Sequence, residues 1–244
     1  DASRIECDTR LRNRWEIDRA VYEVWLDGGD AAAMLPEDER QRIVGATGRG
    51  VLLEVARQDP DARAPGGAPP GGEYLMSGPI VQSDRPEVRD AALRAAAGAD
   101  DPLGTALAIE RWVDDAIAEK DLGTVFGTAV EVLEARRGDC TEHAVLAVAM
   151  MRALGVPSRA VAGIVHHDGA FLHHMWVEAW VRGRWLALDP AEGRGSVDAT
   201  HIKLGTDSLT GGGAGRLNVG VAAALGRLHV RIVETEPDRP GGGP

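Results

Sequence analysis

Arg137-Gly138-Asp139-Cys140-Thr141-Glu142-His143 is the stretch of this sequence with the most chemical content. Gly138 permits a tight turn, and Asp139 can cap the helix that follows. Cys140 then falls in the first turn of that helix. There the unpaired backbone N–H groups and the helix dipole favour a thiolate over a thiol. The same N–H groups can receive a developing oxyanion. The competing reading is a small buried cysteine, the commoner fate of that residue type. A second stretch adds weight to the reactive one: His174-Met175-Trp176-Val177-Glu178-Ala179-Trp180-Val181, a turn, then Trp185-Leu186-Ala187-Leu188-Asp189-Pro190. A cysteine nucleophile needs a histidine base, and the histidine needs a carboxylate or amide to hold its tautomer. Cys140, His174 and Asp189 supply these types in that order.

The elements that must position these residues are legible from periodicity. Pro86 follows Ser83 and Asp84, either of which can cap a helix running to about Ala97 before Gly98. A second helix starts at Asp101-Pro102, with Leu103, Ala106, Leu107, Ile109, Trp112, Val113 and Ile117 as its apolar stripe. A short helix spans Thr128 to Arg136, and a fourth runs from about Cys140 to Leu154, stopped by Gly155 and Pro157. Strands are expected at 15–26, 50–56, 159–165, 175–181, 184–188, 201–204 and 226–233, with 38–42 as a polar connector. Helices followed by an antiparallel sheet read as α+β. The organisation expected is a β-rich region at 1–59, a Pro/Gly-rich linker at 60–79, and a catalytic domain at 80–210. A loop and strand at 211–236 and a disordered tail at 237–244 follow.

A hairpin turn at Gly183-Arg184 would pair Arg182 with Trp185 and so Glu178 with Asp189. His174 and Glu178 share a face of their strand. Asp189 then has the right parity but is displaced along the strand from His174, and a bulge, sheared register or bent strand start is needed to join them.

Gly138-Asp139-Cys140-Thr141-Glu142-His143, His174-Met175-Trp176-Val177-Glu178 and Trp185-Leu186-Ala187-Leu188-Asp189-Pro190 together resemble the core motifs of the bacterial transglutaminase-like superfamily. Asp198-Ala199-Thr200-His201-Ile202-Lys203-Leu204 is similar to a segment that follows the core in many bacterial members. The resemblance covers roughly residues 80–205. It implies a papain-like core with Cys140 as nucleophile, His174 as base and Asp189 as its orienting partner. It also implies a thioester intermediate on a protein or peptide amide, released by water or by an amine. Animal members place an oxyanion-stabilising tryptophan at a position that falls near Phe126 here. The chain lacks the D-x-[DN]-x-[DN]-G loop of calcium sites. The alternative is a non-catalytic protein-binding module on the same fold.

Around the triad, His143, Trp176, Glu178 and His173 are candidate supporting or substrate-side residues. The family pattern His-x-Trp-x-Glu selects His174 over His173. Glu178 is either part of this network or a cross-strand partner for an arginine such as Arg159 or Arg184. Trp176, Trp180 and Trp185 read first as sheet-face filler, with Trp176 as a candidate wall of the acyl cleft. His166-His167-Asp168 reads as a solvated loop tip.

Composition bounds the rest. Cys7 and Cys140 are the only cysteines in 244 residues, too few for a disulfide scaffold or a four-cysteine zinc site. A bond between them would remove the nucleophile, so none is expected. No metal or other cofactor is expected. The net charge of −11 argues against a sequence-independent nucleic-acid binder. No apolar run approaches the roughly 18–20 residues of a membrane span. The chain begins at Asp1 without a leader, as a processed protein or a fragment would, which leaves the compartment open. The family resemblance inclines it toward an extracytoplasmic one.

Overall fold

The computed structural model describes residues 4–7, 9–11, 13–64, 67–118, 127–211, 224 and 226–237. The strands are β1 (Arg4–Glu6), β2 (Ile17–Leu26), β3 (Gln41–Ala46), β4 (Val51–Ala56), β5 (Ser158–His167), β6 (Ala170–Val181), β7 (Arg184–Leu188), β8 (His201–Asp207) and β9 (Leu228–Pro237). The α-helices are α1 (Ala31–Met34), α2 (Pro86–Ala95), α3 (Pro102–Ala116), α4 (Ala129–Ala135) and α5 (Cys140–Ala153). The mixed α+β class expected from the sequence is the one observed. Pro237, expected to open the 237–244 tail, instead ends β9 and pairs with Ile17; the positions near Phe126 and residues 238–244 lie outside the described residues, as do 212–223 and 225.

The first sheet, β1-β6-β5-β8 with β7 also on β6, is antiparallel throughout. Asp168-Gly169 and Arg182-Gly183 are two-residue turns with positive φ at both positions, the geometry that matches strand twist in tight hairpins. They join β5 to β6 and β6 to β7, and β8 lines the far edge of β5. One edge of β6 is shared: β1 pairs with it as far as Leu172, and β7 takes over from Val177. Among the described residues no strand pairs with 173–176 on that edge. The second sheet has the order β3-β4-β2-β9. Thus β1, from the N-terminal span, belongs to the first sheet, and β9, from the C-terminal span, closes the second.

Helix α5 is the centre of the helical layer. Its run from Ala144 to Met151 is apolar and buried all round, as a helix enclosed on every side must be. It packs on β5 and β6 with one face and on α2, α3 and α4 with the others. Odd residues of β6 such as Met175 and Val177, with Ala160 and Ala162 of β5, join its core. By register, the opposite face of the sheet carries His174, Trp176 and Glu178 from β6, Gly163 from β5, and His201 and Lys203 from β8.

Three local expectations are corrected. Strand β3 begins at Gln41, inside the polar connector expected at 38–42, and runs to Ala46. It pairs antiparallel with β4, from Gln41 against Val55 to Ala46 against Val51, and the Gln41 amide ties it to the first sheet: its Nε2 donates to the Lys203 carbonyl over 2.9 Å, and its Oε1 accepts the Lys203 N–H over 2.8 Å. A polar side chain here does what a neighbouring backbone would do. His166 is not in a solvated tip; it is buried, donates to the Thr9 carbonyl over 2.9 Å and lies edge-on to Phe171. Burial holds its pKa below the ordinary value. Helix α2 is preceded by Arg85, with no side-chain cap from Ser83 or Asp84. The Gly/Pro-rich 60–79 stretch rests on the β6–β7 hairpin through Arg182 Nη1 to the Asp61 carbonyl (2.8 Å) and Tyr74 edge-on to Trp185.

Candidate active site

The turn into α5 is built for a glycine and an acid. Gly138 has φ of +153°, and a Cβ there would lie 2.4 Å from Glu142 Cβ. Asp139 caps the helix by accepting the Thr141 N–H over 2.8 Å. Glu142 completes the capping box by accepting the Asp139 N–H over 2.9 Å. It also reaches the Gly127 N–H ahead of α4. Burial and the neighbouring Asp139 carboxylate push Glu142 above the ordinary carboxylate range. His143 is buried one turn on and donates from Nδ1 to the Asp139 carbonyl over 2.6 Å. These contacts leave Cys140, half-buried and unbonded to Cys7, as the first residue of α5.

His174 lies in the stretch of β6 that has no strand neighbour on the shared edge. Its Nε2 donates to Asp189 Oδ2 over 2.6 Å, and Cys140 is among the neighbours that favour its charged form. Nε2 being engaged, Nδ1 is the nitrogen available to Cys140. The register explains how Asp189 arrives. With the turn at Arg182-Gly183, Val181 pairs with Arg184 and Val177 with Leu188. The expected pairing of Glu178 with Asp189 is therefore corrected to Glu178 with Ala187. Moving the turn by one residue slips the register by two, which keeps parity and brings Asp189 closer to His174. No bulge within the β6–β7 pair is needed. The Asp-Gly and Arg-Gly turns share glycine in the second position, where positive φ costs least.

Burial pushes the Asp189 carboxyl up, but the charge and hydrogen bonds of His174 and His201 hold it well below the ordinary range. Burial pulls the His174 imidazolium down, and the Asp189 carboxylate more than offsets this, so His174 is held above its ordinary value. Asp189 Oδ1 accepts the Ala191 N–H over 2.9 Å.

The other expected residues sort by face. Trp176 is fully buried and lies beside the His174 ring, centroids 6.2 Å apart at 25°. It backs the imidazole and is not an open cleft wall. Glu178 is buried, accepting from Arg159 Nε over 2.7 Å and from Lys203 Nζ over 2.6 Å; it does not contact the triad. His173 is half-buried, and burial followed by the adjacent His174 charge lowers its pKa. Its Nε2 is buried with no hydrogen-bond partner.

Two further groups touch Asp189. His201 donates from Nε2 to Asp189 Oδ2 (3.3 Å). Glu110 of α3 is buried, with both oxygens 3.0 Å from the Gly195 N–H. Burial, with Asp189 nearby, pushes its carboxyl up to about 8. The sequence signal for Glu110 is an acid four residues after Ala106 and three before Val113, inside the apolar stripe of α3. For His201 it is the Asp-x-x-His spacing from Asp198. Between the ordinary carboxylate value and about 8, folded Glu110 keeps a proton that the unfolded chain has lost. Stability therefore declines as pH rises through that interval. Glu110→Gln removes this dependence. The Tm of the wild type is expected to fall relative to the variant between pH 5 and 8, and parallel Tm curves would refute it.

His174, Asp189 and His201 are the metal-capable cluster among the described residues, their ligand atoms all within 4.8 Å. Ligands around a tetrahedral zinc ion stand roughly 3.3 Å apart. The 2.6 Å between His174 Nε2 and Asp189 Oδ2 is a hydrogen-bond spacing, so the cluster as folded does not fit an ion. No helix among the described residues is long and apolar enough to cross a membrane.

Comparison with known proteins bears on the fold and on part of the sequence. A candidate cysteine protease from Cytophaga hutchinsonii has a similar fold, with a TM-score of 0.55 at 16% identity, covering 90% of this chain and 84% of that one. At that identity the likeness concerns fold alone. Uncharacterized proteins of Mycobacterium tuberculosis and Mycobacterium bovis are each 35% identical over 97 residues, 34% of this chain. The match spans about a third (31%) of the length of these curated relatives. Residues 89–190, which include Cys140, His174 and Asp189, match the family model of the Transglutaminase-like superfamily.

Proposed function

We propose that the chain is a cysteine-dependent acyl-transfer enzyme acting on protein or peptide amides, with Cys140 as nucleophile, His174 as acid and base, and Asp189 as the group that orients His174. The observation that carries this reading is the 2.6 Å contact of His174 Nε2 with Asp189 Oδ2, with Cys140 a neighbour that favours the charged form of His174. The imidazolium at His174 and the N-terminus of α5 both stabilise negative charge on the Cys140 sulfur.

In the first step Sγ attacks the carboxamide carbon and a C–S bond forms. The oxyanion is received by the Cys140 backbone N–H, one of the helix-start donors without an intrahelical acceptor. His174 then gives its proton to the departing nitrogen, the C–N bond breaks and a thioester remains. Water or an amine attacks the thioester, His174 takes the proton of the attacker, and the C–S bond breaks. Water makes the reaction hydrolysis; a lysine amine makes it cross-linking. Nothing in the described residues marks a dedicated amine site, so hydrolysis is the favoured outcome.

Iodoacetamide labelling at pH 6 tests the activated sulfur. Cys140 is expected to label at least about tenfold faster than Cys7, in line with a stabilised thiolate. Equal, slow labelling of both would overturn the reading and favour a binding module. A glutaminyl peptide incubated with and without excess amine then separates the outcomes. Ammonia release without amine incorporation identifies hydrolysis; incorporation identifies transfer.

A further inference from the structure

The Asp189 carboxylate is held by more than the triad, and the chain of contacts behind it leads out of the core. His201 opens β8 on the same sheet face as His174 and is fully buried. Its Nε2 meets Asp189 Oδ2 over 3.3 Å, and its Nδ1 meets Asp198 Oδ1 over 3.2 Å. Its ring stands edge-on to both Trp176 and His174, centroids 5.3 Å and 5.7 Å away, so it has little room to rotate. Asp198 is itself fixed: Oδ1 accepts from Thr200 N–H (2.8 Å) and Oγ1 (2.6 Å), and Oδ2 accepts from Arg14 Nη1 (2.7 Å). Arg40, buried, donates to the carbonyls of His201 over 2.7 Å and Asp198 over 2.6 Å. Arg14 and Arg40 both come from the N-terminal span, ahead of the superfamily core.

We propose that His201 and Asp198 form a second imidazole–carboxylate pair that positions Asp189, and that Arg14 and Arg40 of the N-terminal span hold this pair in place. His201 is thus a positioning residue acting through Asp189, and the N-terminal span is a working part of the site. The proposal rests on the Cys140–His174–Asp189 reading above. Buried charges left without partners are costly, so the arrangement Arg14–Asp198–His201–Asp189–His174 holds only if every member is present. Asp189 Oδ2 serves both histidines, and its direction toward His174 depends on the His201 N–H that shares it. A displacement of about 1 Å at such a group is enough to cost roughly two orders of magnitude in reactivity.

The test is the iodoacetamide alkylation rate of Cys140 in the full chain at pH 6, with Tm measured on each variant. His201→Leu is expected to slow alkylation about tenfold or more. His201→Gln, whose amide occupies the Nε2 position and can donate to Asp189, is expected to stay within about threefold of wild type. His201→Asn, whose amide reaches only toward Asp198, is expected to behave like His201→Leu. The Gln and Asn variants are both polar, so a purely structural role would not split them, and their comparison decides the matter if His201→Leu fails to fold. In an Asp189→Asn background, His201→Asn is expected to add nothing further. Wild-type rates in His201→Asn, or losses that multiply across the double variant, would overturn the proposal. Failure of the parent reading looks different: slow Cys140 labelling already in the wild type.

Discussion

Cys140→Ala is expected to lower turnover of an amide substrate by about 10⁴-fold or more, with Tm displaced by only a few degrees. Removing the nucleophile of a triad abolishes the covalent route, and what survives comes from binding and oxyanion stabilisation alone. Fold stability has little at stake in the thiol. Cys140 is half-buried at the first position of α5, where alanine is a good helix former. The cap itself is made by Asp139 and Glu142 and does not use the cysteine side chain. The variant should therefore fold and bind while failing to turn over. The measurement is steady-state hydrolysis or amine incorporation on a glutaminyl peptide, beside thermal unfolding of the same preparation. Retention of more than about a tenth of the activity would remove Cys140 from the mechanism, whatever the labelling result.

Gly163→Ala is expected to destabilise the fold by about 3 kcal/mol, a loss of roughly 6–12 °C in Tm for a chain of this size. Gly163 lies in the middle strand of the first sheet, paired with His174 on one side and Lys203 on the other. A Cβ there would meet the Ile202 carbonyl oxygen at 2.1 Å and the Trp176 ring at 2.5 Å. The first contact is with backbone and cannot be relieved by turning a side chain. Either β8 moves away from β5 or the Trp176 ring leaves its buried place beside His174. Both movements also disturb the candidate site, since His201 starts β8 and Trp176 backs the His174 imidazole. Gly48→Ala is the control: a Cβ there meets nothing within 4 Å, so a change within about 0.5 kcal/mol is expected. Urea unfolding of the two variants side by side gives the answer. Equal stabilities would show that the sheet yields at Gly163 more readily than packed backbone should.

How much of this was legible beforehand differs by element. The helix from Cys140 onward, its acidic cap and its glycine-proline stop are local features, decided by groups within a few residues of one another. The same holds for Asp101 ahead of α3 and Thr128 ahead of α4, both of which accept from the helix they cap. Strands β5, β6 and β7 are marked by β-branched and aromatic residues and by glycine at the turns. Strand β3 was not legible because it starts on polar residues, Gln41 and Arg42, and is irregular against β4 between Ile43 and Gly45; the Gln41 side chain is buried by bonding to Lys203, 162 residues away. Strand β1 is three residues long and carries too little pattern to read.

The order of Cys140, His174 and Asp189, the helix start under the cysteine and the matching parity of the two strand residues are properties of the sequence itself. They follow from local capping and from the two-residue period of a strand. Contact between His174 and Asp189 is a property of the tertiary structure, because register depends on which two residues make the turn, and a one-residue change there moves every pair by two. The same is true of His201, Asp198, Arg14 and Glu110. Their spacing is visible in the sequence, but burial against a carboxylate, a cation or a backbone N–H from a distant segment is what gives each its place.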